Sequence, residues 1–445
     1  MLKKILANPL LMQSLFSLIA RFTGVALNFA VIILITRTLP KSSAGDILLL
    51  MTFVTGVALI SRLGIDQLLM KEVASAHENE TQFRRQFLNS SYKAVLVLSL
   101  VFMAIWLLAS PFLQYKFFQA NDLASTATVT LTELMLACLG ILFFNLVILN
   151  STYLKAIKQS VIGVLGQNAL TAITFLGLIG IFWGYFSNNQ YTIYLYIASL
   201  ILAGVLTVFI THRFTTSSTD SSPKNTVNNT PALFELIKKS LPFAPISIIS
   251  FLMIFTDTIM VGWFLVNDRV AEYSVASKIS YIILFFLQAM EAVIYPRLLN
   301  MYQHDNARLQ RFFWQATALV VGVVLVVTVF MYLLSDWILI AFGKDYIVAK
   351  EALGLLLLAQ FLRAASITFS FMFIIREKVK YLNMILVSAF LVNVVFNIVL
   401  INRYGIEGAA MATLIANAIL LFLVLSLFFW HKLLNLNPNE SSTHL

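Results

Sequence analysis

The sequence predicts an all-α polytopic membrane protein, with twelve transmembrane helices in two bundles of six related by a pseudo-two-fold axis along the membrane normal. Three observations predict it. Hydrophobic residues make up 60% of the 445 and charged residues only 11%, with mean hydropathy +0.88, whereas a soluble domain carries roughly a quarter charged residues. Apolar runs recur along the whole chain at about twenty residues each, the length a helix needs to cross roughly 30 Å of hydrocarbon; barrel strands would be half as long and would alternate. The halves also resemble each other: a shift of 227 residues lays "ILITRTLPKSSAGDILLL" (33–50) over "MVGWFLVNDRVAEYSVAS" (260–277), and "LLAS" (107–110) corresponds to "YLLS" (332–335).

The N-terminal "MLKKILANPLLMQ" has the positive start of a secretory signal, but no small-residue cleavage site follows and the apolar run is too long, so it reads as an uncleaved first span. The expected spans are 13–36, 44–65, 90–112, 125–149, 160–185, 190–211, 241–265, 271–295, 313–341, 352–375, 383–401 and 407–430. An even number places both termini on one side. The even-numbered loops and termini hold eighteen Lys and Arg, against seven in the odd-numbered loops, which makes both termini cytoplasmic. The polar stretch "THRFTTSSTDSSPKNTVNN" reads as a flexible connection. The expected organisation is an N-terminal bundle (1–211), a cytoplasmic linker (212–240), a C-terminal bundle (241–430) and a cytoplasmic tail (431–445). The net charge of +10 follows from this topology and favours contact with anionic membrane lipid; nucleic acid is not an expected partner.

Other chemistry is sparse. The one cysteine, Cys138, excludes an intrachain disulfide. His77, His212, His304, His431 and His444 fall between spans without ligand-like spacing, so neither a metal nor another cofactor is expected. There is no Gly-rich phosphate loop and no catalytic constellation.

Charges inside spans are the informative feature, because each costs about 2.5–3.5 kcal/mol at a helix centre unless it pairs, faces the bundle interior or meets water. Arg21, Arg62, Lys278 and Arg363 are basic, and Glu133, Asp257 and Glu291 acidic. Helical spacing extends several into polar stripes: Ser17, Arg21, Gly24 and Asn28; Thr52, Thr55, Arg62 and Asp66; Ser274, Lys278, Tyr281, Gln288, Glu291 and Tyr295; Gln360, Arg363 and Ser370. These stripes predict a central hydrated, cationic cavity for an anionic substrate, since guanidinium forks match phosphate oxygens. Pairing of Arg21, Arg62 and Lys278 with the acids to fix helix packing is the alternative, and Arg62, near its span end, could also snorkel. Arg363 lies mid-span.

Two stretches then resemble a known family. "FTDTIMVGWFLVNDRVAEYSVASKIS" (255–280) and "NVVFNIVLINRYGIEGAAMATLIAN" (393–417) are similar to the span 7–8 and span 11–12 patterns of the polysaccharide-transporter family, the Wzx-type flippases of the multidrug/oligosaccharidyl-lipid/polysaccharide exporter superfamily. Asp257, Tyr273, Lys278, Asn397, Tyr404, Gly405, Gly408, Ala409 and Ala410 carry the match, and "RLGIDQLLMKEVA" (62–74) resembles the end of the family's second span. Ala271 and Glu272 depart from it, standing where relatives usually have glycine. Read alone, Gly405, Gly408, Ala409 and Ala410 predict close helix packing by small residues. The resemblance implies translocation of undecaprenyl-diphosphate-linked oligosaccharide, O-antigen or similar repeat units, from the cytoplasmic to the outer leaflet of the bacterial inner membrane by alternating access. Arg21, Arg62, Lys278 and Arg363 are the expected substrate contacts. Asp257, Glu133 and Glu291 are candidates for relaying a coupling proton or sodium ion. A polysaccharide polymerase and a chain-length regulator are expected partners. Two alternatives stay open: a cation-coupled multidrug extruder of the same superfamily, and a membrane-embedded polymerase or ligase, which would need longer outer loops than these.

Overall fold

The computed structural model describes residues 9–76, 80–118, 129–186, 189–216, 232–304 and 306–434, and every element among them is helical. Most of the expected linker (212–240) and tail (431–445) lies outside the described residues, as do His77 and His444. Packing divides the chain into two units, Met1–Ala271 and Glu272–Leu445.

In the first unit, α1 (Pro9–Thr38) and α2 (Lys41–Ser61) are separated at Leu39 and Pro40; proline has no N–H to continue a helical ladder, but it can open the next helix. Span 2 ends where Leu63 (φ 46°) and Gly64 (φ 79°) turn left-handed, and α3 (Ile65–Ser75) leaves at an angle. Its Leu68, Leu69 and Val73 are buried while Gln67 and Lys71 are exposed. Next, α4 (Thr81–Phe117) has 37 residues, about 55 Å at 1.5 Å per residue, so its ends project beyond a hydrocarbon core of roughly 30 Å. The fourth span begins at α5 (Leu131–Leu136) and continues as α6 (Cys138–Ala156). Thr130 and Glu133 start it with a reciprocal cap, Thr130 N–H donating to Glu133 Oε2 at 2.8 Å and Glu133 N–H to Thr130 Oγ1 at 3.3 Å.

Span 5 is broken. Its two pieces, α7 (Ser160–Asn168) and α8 (Leu170–Ile181), meet at 52°. The cause lies in α1, where Asn28 Nδ2 donates to the Asn168 carbonyl at 2.7 Å and Gly24 leaves room for Asn168 to approach. The unit continues through α9 (Trp183–Phe186), α10 (Asn189–Thr216), the short amphipathic α11 (Leu233–Ser240) and α12 (Ala244–Phe264).

Residues 241–271, expected in the C-terminal bundle, pack within the first unit. Small residues set that seam along α2. A Cβ at Gly45 would meet the Asn267 carbonyl at 1.9 Å, one at Gly56 the Phe251 ring at 2.1 Å, and one at Gly64 Phe243 Cβ at 2.7 Å. Asn267 Nδ2 also donates to Asp46 and, at 3.0 Å, to the Phe117 carbonyl.

The second unit takes over within α13 (Asn267–Ser280) and runs through α14 (Ile282–His304), α15 (Asn306–Leu333), α16 (Ser335–Phe342), α17 (Lys350–Ile375) and α18 (Val379–Trp430). Lys350 Nζ ties α17 to α16 through Asp336 at 2.7 Å. The 52 residues of α18 are two helices joined at Gly405, whose φ 61°, ψ −132° lies outside helical space. In a straight helix Asn393 and Thr413 would stand about 30 Å apart, yet their side chains meet at 3.4 Å, so the chain reverses at Gly405. Close approach makes the hairpin possible: a Cβ at Gly408 would lie 2.1 Å from the Leu400 carbonyl oxygen. The small residues 405–410 therefore do what their spacing predicts, and the expected spans 383–401 and 407–430 are the two arms.

Among the described residues, nine helices are long and apolar enough to cross a membrane, or ten with the bent α7–α8 pair; that number takes α18 as one helix. Their outer faces are apolar: Leu100, Ile105, Leu108 and Phe112 on α4 are exposed, as are Val326, Phe330 and Leu333 on α15. Such faces are stable against lipid and would aggregate in water.

Candidate functional site

Arg21 and Arg62 belong to the first unit, Lys278 and Arg363 to the second. Arg62 is buried, only 4% exposed. It closes α2, and its Nη1 donates to Asn145 Oδ1 at 2.9 Å on α6. Asn145 in turn donates to Ser61 Oγ at 2.8 Å and to Ser99 Oγ at 2.9 Å, so one amide links α2, α4 and α6. Asp66, one turn on in α3, lies 3.8 Å from Arg62 Nε. A buried guanidinium with an amide and a carboxylate is a structural node as placed, which is the packing alternative read from the sequence.

Arg21 is half-buried on α1, and Lys155 at the end of α6 lies within electrostatic range of both Arg21 and Asp66. Lys155 Nζ donates to Gln167 Oε1 at 2.6 Å. This corner brings Arg21, Arg62 and Lys155 near the Asp66 carboxylate. Asp66 attracts Lys155 more strongly than Arg21 repels it, so the corner is a mixed cluster with more cations than carboxylates among these residues. Lys155 is absent from the expected contacts because it counted as a loop cation; the helix runs one residue past it.

The stripes behave differently. Gly24 and Asn28 pack against the span 5 bend, and Thr52 and Thr55 donate to the carbonyls of Leu48 at 2.8 Å and Met51 at 2.7 Å in their own helix. Ser366 and Ser370 likewise bond back to Arg363 at 2.7 Å and Ser366 at 3.0 Å. A hydroxyl satisfied within its own turn asks for no water, so these positions carry no argument for a wet face.

In the second unit, Arg363 on α17 is half-buried and lies within electrostatic range of Tyr281 and Glu291. Lys278, on α13, is half-buried as well. Of the remaining acids, Glu133 is fully buried and used as a helix cap, whereas Asp257 is buried in the middle of α12. Asp46, fully buried and bonded by Asn267, was legible as a charge inside the expected span 44–65 and is missing from the candidates.

Comparison with known proteins follows the same lines. The profile of the family described as "Polysaccharide biosynthesis protein" matches residues 10–302, and the MatE profile matches residues 242–399. A probable low-salt glycan biosynthesis flippase, Agl15 of Haloferax volcanii, is 26% identical over 208 residues, which are 45% of this chain and 42% of that protein; the chain thus aligns with less than half of that relative's length. Among solved structures, the lipid II flippase MurJ in an inward closed conformation matches at TM-score 0.69 and 15% identity over 95% of this chain and 87% of that one. An inward-facing multidrug resistance MATE family transporter of the MOP superfamily matches at TM-score 0.65 and 16% identity over 96% and 100%. The fold is that of the MOP superfamily.

Proposed function

The chain belongs to the polysaccharide biosynthesis protein family, and on that premise we propose that it is a flippase for a lipid-linked oligosaccharide, a transporter rather than an enzyme. The observation that carries this reading is the cluster of Arg21, Arg62 and Lys155 around Asp66, in which cations outnumber the carboxylate. A pyrophosphate between lipid and sugar would match the excess positive charge and accept from Arg21 and Lys155. Arg363, mid-span and half-buried, is a second contact and Lys278 a third.

In finer terms, we read the substrate as undecaprenyl-diphosphate-linked repeat units of O-antigen or a similar polysaccharide. It moves by alternating access from the cytoplasmic to the outer leaflet of a bacterial inner membrane. The count of twelve spans and cytoplasmic termini are parts of the same proposal, supported by the bias of Lys and Arg between spans. A polymerase and a chain-length regulator would consume the product. Coupling of a proton or sodium ion belongs to Asp257, Glu133 or Glu291; Glu133 also caps α5 through Oε2, and its buried Oε1 has no hydrogen-bond partner among the described residues. Asp257→Asn, Glu133→Gln and Glu291→Gln should each abolish the gradient dependence of flipping if that residue is the relay; retention of wild-type dependence by all three removes the idea.

Surface display of polysaccharide in cells lacking their own flippase tests the reading. A hydrogen bond to a charged partner contributes about 1.5–3 kcal/mol, so Arg21→Ala and Lys155→Gln should each lower display roughly ten- to hundredfold at matched membrane level. Lysine at position 21 keeps the charge without the fork and should fall between arginine and alanine. Normal display by Arg21→Ala would give Arg21 a packing role only. The MatE match favours a second reading, a cation-coupled extruder, because Asp257 and Glu291 both lie within residues 242–399. Drug efflux that survives Arg21→Ala and fails in Asp257→Asn would select it.

A further inference from the structure

The first unit contains a cavity of about 550 Å³ outside the corner of Arg21 and Lys155, walled by the end of α3, the start of α4, the α6–α7 turn and the end of α10. Arg84, Arg85 and Lys158 line it, with Gln159, Thr81 and Thr215; none of the described lining residues is acidic, and the exposed Glu80 stands next to Thr81. A buried cluster that includes Leu68, Phe87, Leu149, Tyr153 and Leu236 underlies it, so the walls are built on packed helices. Arg84 Nη2 donates to the Ala76 carbonyl at 2.6 Å, which fixes that guanidinium, while its buried Nε has no acceptor. Arg84 and Arg85 both lie within electrostatic range of the Tyr153 hydroxyl, which also lines the cavity.

Lys158 reaches the rim through a left-handed backbone (φ 68°), closed by Gln159 N–H to the Leu154 carbonyl at 2.8 Å. Glycine would take that conformation without strain, so a cation there is held at a cost. Two helices also begin at the rim, α4 at Thr81 and α7 at Ser160, and their N-terminal amides add positive potential.

The second unit repeats this turn. Glu377 is left-handed (φ 57°), Lys378 N–H bonds the Phe373 carbonyl at 2.7 Å, and α18 begins at Val379, 219 residues after α7. There the chain satisfies its own cation: Arg376 Nε donates to the Leu433 carbonyl at 3.3 Å, and its guanidinium lies 4.8 Å from the Tyr302 ring centre. In the first unit the corresponding end of α10, at Phe214 and Thr215, lines the cavity.

We propose that this cavity binds the phosphate of a membrane lipid. Three cations and two helix N-termini suit a phosphate ester, and the apolar wall of Ala74, Ile157 and Phe214 suits the glycerol and first methylenes of an amphiphile better than a free ion. The inference does not depend on which substrate is transported. Lys158 lines the cavity and Lys155, in α6, is not among its lining residues, so the cavity is separable from the corner by substitution.

The test uses the full chain, purified in detergent and examined by native mass spectrometry with added dioleoyl phosphatidylglycerol, dioleoyl phosphatidylcholine, inorganic phosphate or pyrophosphate. Retention of phosphatidylglycerol over phosphatidylcholine is expected, falling about fivefold for each charge removed in Arg85→Gln and Lys158→Gly. Lys158→Gly relieves backbone strain while deleting the charge, so its melting temperature should hold or rise as lipid retention falls. Equal retention of both lipids, or unchanged retention in the double variant, overturns the proposal. Variant-sensitive binding of inorganic phosphate or pyrophosphate without lipid retention overturns the lipid source as well. Arg84 is left in place because it also closes the α3–α4 turn.

Discussion

Arg62 and Arg363 are the same residue type in apolar helices of the two units, and their surroundings differ. Arg62 is 4% exposed, donates to Asn145 and faces Asp66; its amide partner reaches two serines on neighbouring helices. Arg363 keeps part of its surface open, and among the described residues it has Glu291 and Tyr281 within electrostatic range but no direct ion pair. Around Arg62 the fold supplies an amide acceptor and a carboxylate, though Nε itself has no hydrogen bond among the described residues; around Arg363 it supplies Glu291 and Tyr281 at longer range. A charge whose partners are supplied by the fold stabilises the fold; one whose partners are incomplete is available to a ligand.

The largest effect should come from Arg62→Ala. It removes the Asp66 carboxylate's buried partner at the end of α2 and the donor to the Asn145 carbonyl, a loss of about 3–5 kcal/mol, and should appear as loss of folded protein from the membrane and a lowered melting temperature. Asp66→Asn added to Arg62→Gln should recover part of that loss, since it removes the uncompensated charge. Wild-type membrane levels of Arg62→Ala with lost display would break the comparison by making Arg62 a substrate contact.

Arg363→Ala should do the reverse, keeping protein level and melting temperature while display falls roughly ten- to hundredfold. Arg363→Lys should be intermediate, because charge remains and the planar fork does not. Collapse of the Arg363→Ala protein would place both arginines in one structural class. The smallest effect belongs to Thr55→Val on the α2 stripe, whose hydroxyl bonds its own helix. Its stability should change by less than about 0.5 kcal/mol and display should be normal; a large loss of display would restore a hydrated face along α2.

Much of the fold was legible because hydrocarbon imposes simple rules on sequence. The run from Phe16 to Thr38 has few readings other than a crossing helix, and Gly405, Gly408, Ala409 and Ala410 pointed to close helix packing, though not to the reversal at Gly405. The candidate site was less legible. Spacing placed Thr52, Thr55 and Arg62 on one stripe, but periodicity reports direction around a helix and not what a side chain meets there. Lys155 was hidden because the helix ends at Ala156, seven residues beyond the expected span end at 149. Glu133 was read as an intramembrane acid and serves as a cap, a role set by Thr130 three residues earlier and visible in the sequence as Thr-x-x-Glu.

The sequence by itself determined that this chain is a helical membrane protein, because apolar runs of crossing length must satisfy their backbone groups internally and only helices of that length do so. It also determined the family, through residues spread over 10–302. The tertiary structure decided which charges are structural and which are open. It placed Asn145 beside Arg62, drew Lys155 toward Arg21, bent span 5 at Asn168 through Asn28, and packed residues 241–271 onto α2. Each of these pairs residues far apart in the chain. The energy of a buried charge depends on partners within a few ångströms, which no local pattern specifies.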